Sequence, residues 1–166
     1  MQVAEIGSFL SYFEGIRKRT EGVIGVIPPD RLEWRPREGA FSSGDLIRHV
    51  AATERYMFAE NVAGRPSRYP GHGPELAEGF DDVVKYLRRM HAESVAIMSE
   101  LTPETLQLPC ITPAGTPITR WKWLRAMVEH EVHHRGQIYL IMNLLEVPTP
   151  PLYGLTSEQV KANSIP

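Results

Sequence analysis

Apolar residues recur at intervals of three and four in four stretches of the chain, and segments rich in proline and glycine separate these stretches. Such intervals place apolar side chains along one face of an α-helix. The pattern therefore predicts four long helices, and it predicts one short helix near the end, at about Ser157 to Ala162. No stretch alternates convincingly as a half-buried strand does, so the chain is expected to be all-α. The four long helices are predicted at about Val3 to Val26, Ser42 to Val62, Pro74 to Leu101 and Ile118 to Leu145.

The segments between these stretches carry signals that end and start helices. Pro28-Pro29 ends the first helix, because proline lacks the backbone donor and clashes with the preceding turn. Ser42-Ser43-Gly44-Asp45 has the form of a capping box and starts the second. The segment from Gly64 to Pro74 is a long connection, and Pro113-Ala114-Gly115 suits a short hairpin. We predict a four-helix bundle with crossover connections, forming a single domain over residues 1–166.

Composition excludes several classes of function. The chain has 166 residues, 42% of them hydrophobic, which is enough for one real core. A formal net charge of −2 gives no reason to expect a nucleic-acid or membrane partner. One cysteine, no signal peptide and no long apolar run together predict a cytoplasmic protein.

Histidines are clustered on the fourth predicted helix, in the stretch from Glu129 to Gln137. His130 and His134 are separated by about 40° around a helix and lie one turn apart, so both imidazoles can hold one ion. Their face also carries apolar residues and therefore points inwards. His133 lies to the side of this face and is the weakest candidate ligand.

A third ligand is predicted on the second helix. His49 shares a stripe with Leu46, Val50 and Met57, which places it towards the core. A buried imidazole must be hydrogen-bonded or metal-bound, because an unsatisfied polar group costs about 1–3 kcal/mol. Three protein ligands with an open position are typical of catalytic metal sites. The remaining histidines, His72 and His91, are expected to be solvated.

Two other metal sites fit the same residues less well. His130-Glu131-Val132-His133-His134 matches the H-E-x-x-H motif of zinc metalloproteases, in which the glutamate is the general base. The chain offers no sheet to present a substrate strand, and the longer metzincin pattern is not met. A di-iron carboxylate bundle needs two Glu-x-x-His motifs, and only Glu131 to His134 supplies one. Both are disfavoured.

Several motifs resemble those of the DinB/YfiT-like superfamily of small bacterial metal-binding bundles. The strongest runs from His130 to Gln137 on the last helix, and the next runs from Phe41 to His49 at the entry to the second. Weaker support comes from Ile27 to Pro36 and from Pro150 to Gly154. The resemblance covers nearly the whole chain. It implies an up-down-down-up bundle, frequent homodimers, and a zinc or nickel site on His49, His130 and His134.

The resemblance also implies a class of reaction, since members with a known activity are mostly transferases or isomerases that use thiols such as bacillithiol or mycothiol. We therefore expect a divalent-metal-dependent thiol S-transferase acting on a small molecule. A bound cation lowers the pKa of a coordinated thiol and so produces a thiolate at neutral pH. Two alternatives stay open: a structural or vestigial metal site without catalysis, and a metal-dependent hydrolase. Catalytic residues are not assigned, and Glu131 is expected to be a surface residue or a partner of a ligand imidazole.

Overall fold

The structure, a computed structural model, describes residues 2–165 and is mainly helical. Four elements form the bundle: α1, the pair α2 and α3, α4, and α6. A short helix α5 and the hairpin β1–β2 precede α6, and α7 follows it. The bounds are α1 Ile6–Ile24, α2 Ser43–Thr53, α3 Ala59–Val62, α4 Phe80–Met98, α5 Pro103–Leu106, β1 Pro109–Ile111, β2 Pro117–Thr119, α6 Arg120–Leu144 and α7 Ser157–Asn163.

Local sequence signals determine where some of these elements begin. The Ser42 hydroxyl accepts the Asp45 backbone N–H, and the Asp45 carboxylate accepts the Ser42 N–H, so the predicted capping box starts α2. The strands pair antiparallel, with Cys110 opposite Ile118, and form the predicted hairpin. No further strand is present among residues 2–165.

Two predicted helices differ from those observed. The second is continuous to Val62, but Glu54–Phe58 forms a π-helical segment between α2 and α3. The third begins at Phe80 instead of Pro74, because Gly79 adopts a φ of +77° that a helix cannot include. Pro74–Leu76 forms a separate turn of 3₁₀ helix. The extra residue of a π turn leaves no signal in apolar spacing.

Two clusters of buried apolar side chains hold the bundle together. One joins α2 and α4 with the C-terminal half of α6, and the other joins α1 and α3 with its N-terminal half. The all-helical bundle is confirmed, and the crossover connections with the up-down-down-up order remain predictions. No helix within residues 2–165 combines the length and hydrophobicity needed to cross a bilayer. Cys110 is buried and free.

Charged side chains are buried between the helices. Arg17 of α1 contacts the carboxylates of Glu54, at the start of the π-helical segment, and Glu131 of α6; all three are at most 2% exposed. Glu131 Oε1 also accepts the Thr20 hydroxyl at 2.6 Å. His91 of α4 joins the group through its Nδ1, 2.9 Å from Glu54 Oε1. We call these five residues the buried charge cluster.

The buried charge cluster corrects two predictions. His91 is not a solvated residue: its ring nitrogens contact Glu54 and Glu14, and its ring lies against Phe13. Glu131 is not a surface residue, because it faces α1. Apolar periodicity does not reveal either position, since both depend on charged partners contributed by other helices.

Candidate metal centre

The three candidate ligands lie on the two helices that the sequence indicated. The capping box fixes the start of α2, and His49 follows it by seven residues, in the second turn of the helix. His130 and His134 lie one turn apart on α6, which packs against α2. His134 is buried, while His49 and His130 are partly exposed. The site therefore lies at the edge of the bundle, within reach of solvent.

The three imidazole rings converge through their Nε2 atoms. His130 Nε2 lies 3.1 Å from His49 Nε2 and 3.1 Å from His134 Nε2. One nitrogen from each residue lies within 4.8 Å of the other two. The exposed His133 does not join them, and its Nε2 contacts Gln137 instead. Two nitrogens bound to one tetrahedral Zn²⁺ at the usual bond length are about 3.3 Å apart, so the spacing suits a metal ion.

Outer partners on two of the rings leave Nε2 free to bind a cation. His134 Nδ1 lies 2.7 Å from Gln137 Oε1, which only accepts, so Nδ1 carries the proton and Nε2 keeps its lone pair. His49 Nδ1 lies 2.7 Å from the Tyr69 hydroxyl. If that nitrogen also donates, two lone pairs face His130 Nε2, which has at most one proton to give. A cation among the three nitrogens satisfies all of them.

Burial and mutual repulsion keep the three rings neutral. Burial, followed by the charges of His134 and His72, lowers the pKa of His49 to about 4. Burial, followed by the charges of His134 and His49, lowers the pKa of His130 to about 3. Burial also lowers the pKa of His134, and the hydrogen bond that its Nδ1–H donates to Gln137 Oε1 raises this pKa again only in part. Neutral imidazole is the form that binds a metal, so protons compete little at neutral pH.

The geometry counts against the metalloprotease motif. In that motif the glutamate between the histidines must reach the metal-bound water as a base. The Glu131 carboxylate is instead held by Arg17 and Thr20 on α1. Burial raises its pKa, and the nearby Arg17 lowers it again only in part. Glu131 is therefore a helix-to-helix contact, as is Arg135, which donates to the Ile16 carbonyl at 3.3 Å.

Residues of the α3–α4 connection contribute to the site, which sequence reasoning did not predict. Tyr69 contacts His49, and its hydroxyl lies 3.1 Å from His72 Nδ1. The His72 ring lies 4.4 Å from the Phe41 ring, so His72 is not the solvated residue predicted. The only sequence signal was one aromatic residue and one histidine in a connection rich in glycine and proline. Such a signal does not show where the connection lies.

Four large aromatic residues of the bundle pack against its core. Trp34 and Tyr56 pack against the cluster around α2 and α4, and Trp121 and Trp123 pack against the other. A surface depression of about 620 Å³ lies between the start of the α3–α4 connection and the β1–β2 hairpin. None of the candidate ligands lines it.

Known proteins are similar to this chain in sequence and in fold. YjoA, an uncharacterized protein of Bacillus subtilis (strain 168), is 25% identical over 154 residues, which cover 91% of this chain and 97% of YjoA. The crystal structure of a DinB-like protein from Bacillus cereus ATCC 10987 matches with a TM-score of 0.74 and 19% identity, covering 89% of this chain and 97% of that one. The crystal structure of YjoA, described as DinB-like, matches with a TM-score of 0.72 and 23% identity. The match covers 90% of this chain and 99% of that one.

The sequence also matches a family model directly. The model of the DinB superfamily aligns with residues 12–138, which include the three histidines at positions 49, 130 and 134. The matched segment is well over half of the chain and extends from α1 into α6. It confirms the resemblance seen in the sequence motifs, and the chain belongs to the DinB superfamily.

Proposed function

We propose that the protein is a divalent-metal-dependent enzyme that transfers a small thiol to an electrophilic small molecule. The observation that carries the proposal is the convergence of three neutral imidazoles through Nε2, with His130 at 3.1 Å from each of the others. Zinc or nickel is the ion we propose, because three imidazoles suit both. With no acidic ligand, the ion keeps its full positive charge and at least one open position.

The side chains around the histidines suit this role. When bound, the cation would supply Lewis acidity and lower the pKa of a neighbouring thiol. Gln137 and Tyr69 hold the outer nitrogens of two ligands and so fix the direction of their Nε2 atoms. His49 and His130 are partly exposed, so the site lies within reach of solvent. Among these neighbours no carboxylate competes with a thiol for the open position.

We expect turnover of a chlorinated nitroarene with a biological thiol, tested against a panel that includes bacillithiol and mycothiol. In this reaction the thiol loses its proton to solvent, the sulfur bonds to the ring carbon, and chloride leaves. Turnover should require Zn²⁺ or Ni²⁺, and it should disappear in His134→Ala but persist in His133→Ala. The measurement is the absorbance of the thioether product, corrected for the uncatalysed rate.

The alternative is a structural or vestigial metal ion. One observation favours it: the depression of about 620 Å³ lies away from the histidines. If the protein binds one metal ion per chain but gives no turnover with any thiol in the panel, the transferase proposal is wrong. A large loss of stability on chelation would then identify a structural ion.

We also propose that two copies pair through α6. Val132, Leu140 and Leu144 are exposed at spacings of eight and four, and Gly136 lies between them on the same stripe. A Cβ at Gly136 would meet nothing within 4 Å, so another helix has room to approach there. One such stripe on each copy suits a two-fold interface.

The pairing can be tested by light scattering coupled to size-exclusion chromatography. The wild type should have the mass of a dimer, and Leu140→Glu should have the mass of a monomer. Val160→Glu, which alters a similarly exposed apolar residue on α7, should remain a dimer. A monomeric wild type, or a dimeric Leu140→Glu, would show that α6 is not the interface.

A further inference from the structure

The Tyr69 hydroxyl lies between two histidines, only one of which is a candidate ligand. It is 2.7 Å from His49 Nδ1 and 3.1 Å from His72 Nδ1. The His49 and Tyr69 rings meet edge to face, with centroids 5.5 Å apart. Both nitrogens of His49 are therefore in contact, Nε2 with the other candidate ligands and Nδ1 with Tyr69.

The direction of these hydrogen bonds follows from the chemistry of a ligand imidazole. If His49 binds a metal through Nε2, its remaining proton is on Nδ1, and that N–H donates to the Tyr69 oxygen. The Tyr69 O–H is then free to donate, and His72 Nδ1 is its acceptor. In this series of two hydrogen bonds from His49 through Tyr69 to His72, each donor has one acceptor. The reverse direction would place a proton on the Nε2 that must bind the ion.

Buried contacts fix the α3–α4 connection over His49. Arg48 is fully buried, and it donates through Nε to the His72 carbonyl at 2.8 Å and through Nη1 to the Ala77 carbonyl at 3.2 Å. Its charge is balanced by Glu33 and Asp45. The residue next to His49 in sequence thus anchors the connection at His72.

A second anchor lies on the other side of Tyr69. The Arg68 N–H donates to the Tyr56 carbonyl at 2.8 Å, which ties the connection to the π-helical segment. A backbone hydrogen bond at position 68 and the Arg48 side chain at position 72 therefore hold the connection, with Tyr69 between them. Because of this restraint, the fold determines where the Tyr69 hydroxyl lies.

We propose that Tyr69, supported by His72, is a positioning residue of the metal centre. It holds His49 in the Nδ1-protonated form with Nε2 directed at the ion, and it sets the affinity and coordination geometry of the site. The inference rests on the proposed function, because it requires that His49, His130 and His134 bind a metal. Removing an outer partner of a metal-bound histidine commonly weakens metal binding by about 10–100-fold.

The test is titration of the purified full chain with Zn²⁺ in a competition assay, together with Co²⁺ absorption spectra. Tyr69→Phe removes one oxygen, and it should weaken Zn²⁺ binding by about 10–100-fold and shift the Co²⁺ bands. Tyr12→Phe, at an exposed tyrosine of α1, is the matched control and should behave as wild type. The melting temperature of metal-free Tyr69→Phe should equal that of the wild type, which separates positioning from folding.

Variants of His72 give a second test of the proposal. His72→Ala removes the acceptor for the Tyr69 hydroxyl and should also weaken Zn²⁺ binding, whereas His72→Gln keeps an acceptor and should restore much of it. If Tyr69→Phe binds Zn²⁺ within two-fold of wild type with an unchanged Co²⁺ spectrum, the positioning role is wrong while the metal site stands. If the wild type binds no metal, the proposed function fails and this inference fails with it.

Discussion

Replacing His134 with alanine is expected to weaken Zn²⁺ binding by more than about 100-fold. The reason is geometric: His134 is one half of the i, i+4 pair on α6, and its Nε2 lies 3.1 Å from that of His130. Losing only an outer partner of a ligand costs about 10–100-fold, so losing the ligand itself should cost more. Isothermal titration of the metal-free protein with Zn²⁺ measures the change.

His133→Ala is the matched control, because it removes an imidazole from the adjacent, exposed position. It should bind Zn²⁺ within a few-fold of wild type. Both variants should unfold within about 1 kcal/mol of the metal-free wild type, since the apolar clusters carry the fold. Equal loss of binding in the two variants would mean that His133 contributes as much as His134, and the assignment of the three ligands would be wrong.

The pH dependence of binding gives a further check on the same experiment. The pKa values of His49 and His130 are lowered to about 4 and about 3, and that of His134 is lowered as well. The folded site therefore releases few protons when a metal binds at neutral pH. Affinity should change little between about pH 6.5 and 8 and decline as the pH falls towards the pKa values of the ligands.

The bundle could be predicted because its signals are local. The capping box at Ser42 lies at the start of α2, and the prolines at 28 and 29 come within five residues of the end of α1. The i, i+4 spacing of His130 and His134 fixes their common face. His49 could be predicted as the third ligand because the apolar stripe of its own helix indicates which side faces inwards. These inferences require only the geometry of one helix at a time.

The outer contacts of the histidines could not be predicted, because they join residues distant in sequence. Tyr69 reaches His49 across 20 positions and the intervening π-helical segment. His91 reaches Glu54 across 37 positions. Together these contacts account for the position of every histidine. Three converge, His72 contacts Tyr69, the exposed His133 contacts Gln137, and His91 belongs to the buried charge cluster.

Arg17 is an intermediate case. It lies four residues after Phe13 on α1, so its burial follows from helical periodicity. Its partners cannot be predicted in this way, since Glu54 and Glu131 come from other parts of the bundle. A charged residue on a core face is a signal that such partners exist, but the sequence alone does not identify them.

Replacing Arg17 with methionine is expected to lower the free energy of unfolding by about 3–5 kcal/mol. The guanidinium lies between two carboxylates that are buried with it. Its removal would leave Glu131 without a balancing charge and Glu54 with His91 alone. A loss of this size is a large part of the stability of a typical domain, which is about 5–15 kcal/mol. Urea unfolding monitored by circular dichroism measures it. Lys18→Met, at the next and exposed position of α1, is the control and should change stability by less than about 0.5 kcal/mol.

Two comparisons test whether uncompensated charge causes the loss of stability in Arg17→Met. A triple variant with Arg17→Met, Glu54→Gln and Glu131→Gln removes the charges together and should be more stable than Arg17→Met alone, because replacing a whole buried ionic group costs far less than breaking it. Burial already raises the pKa of Glu131, and loss of Arg17 would raise it further. A carboxyl group whose pKa is higher in the folded state stabilises the fold when protonated, so Arg17→Met should be less destabilised at about pH 5 than at about pH 8. If Arg17→Met instead unfolds like Lys18→Met at both pH values, the buried charge cluster contributes nothing to the stability of the bundle.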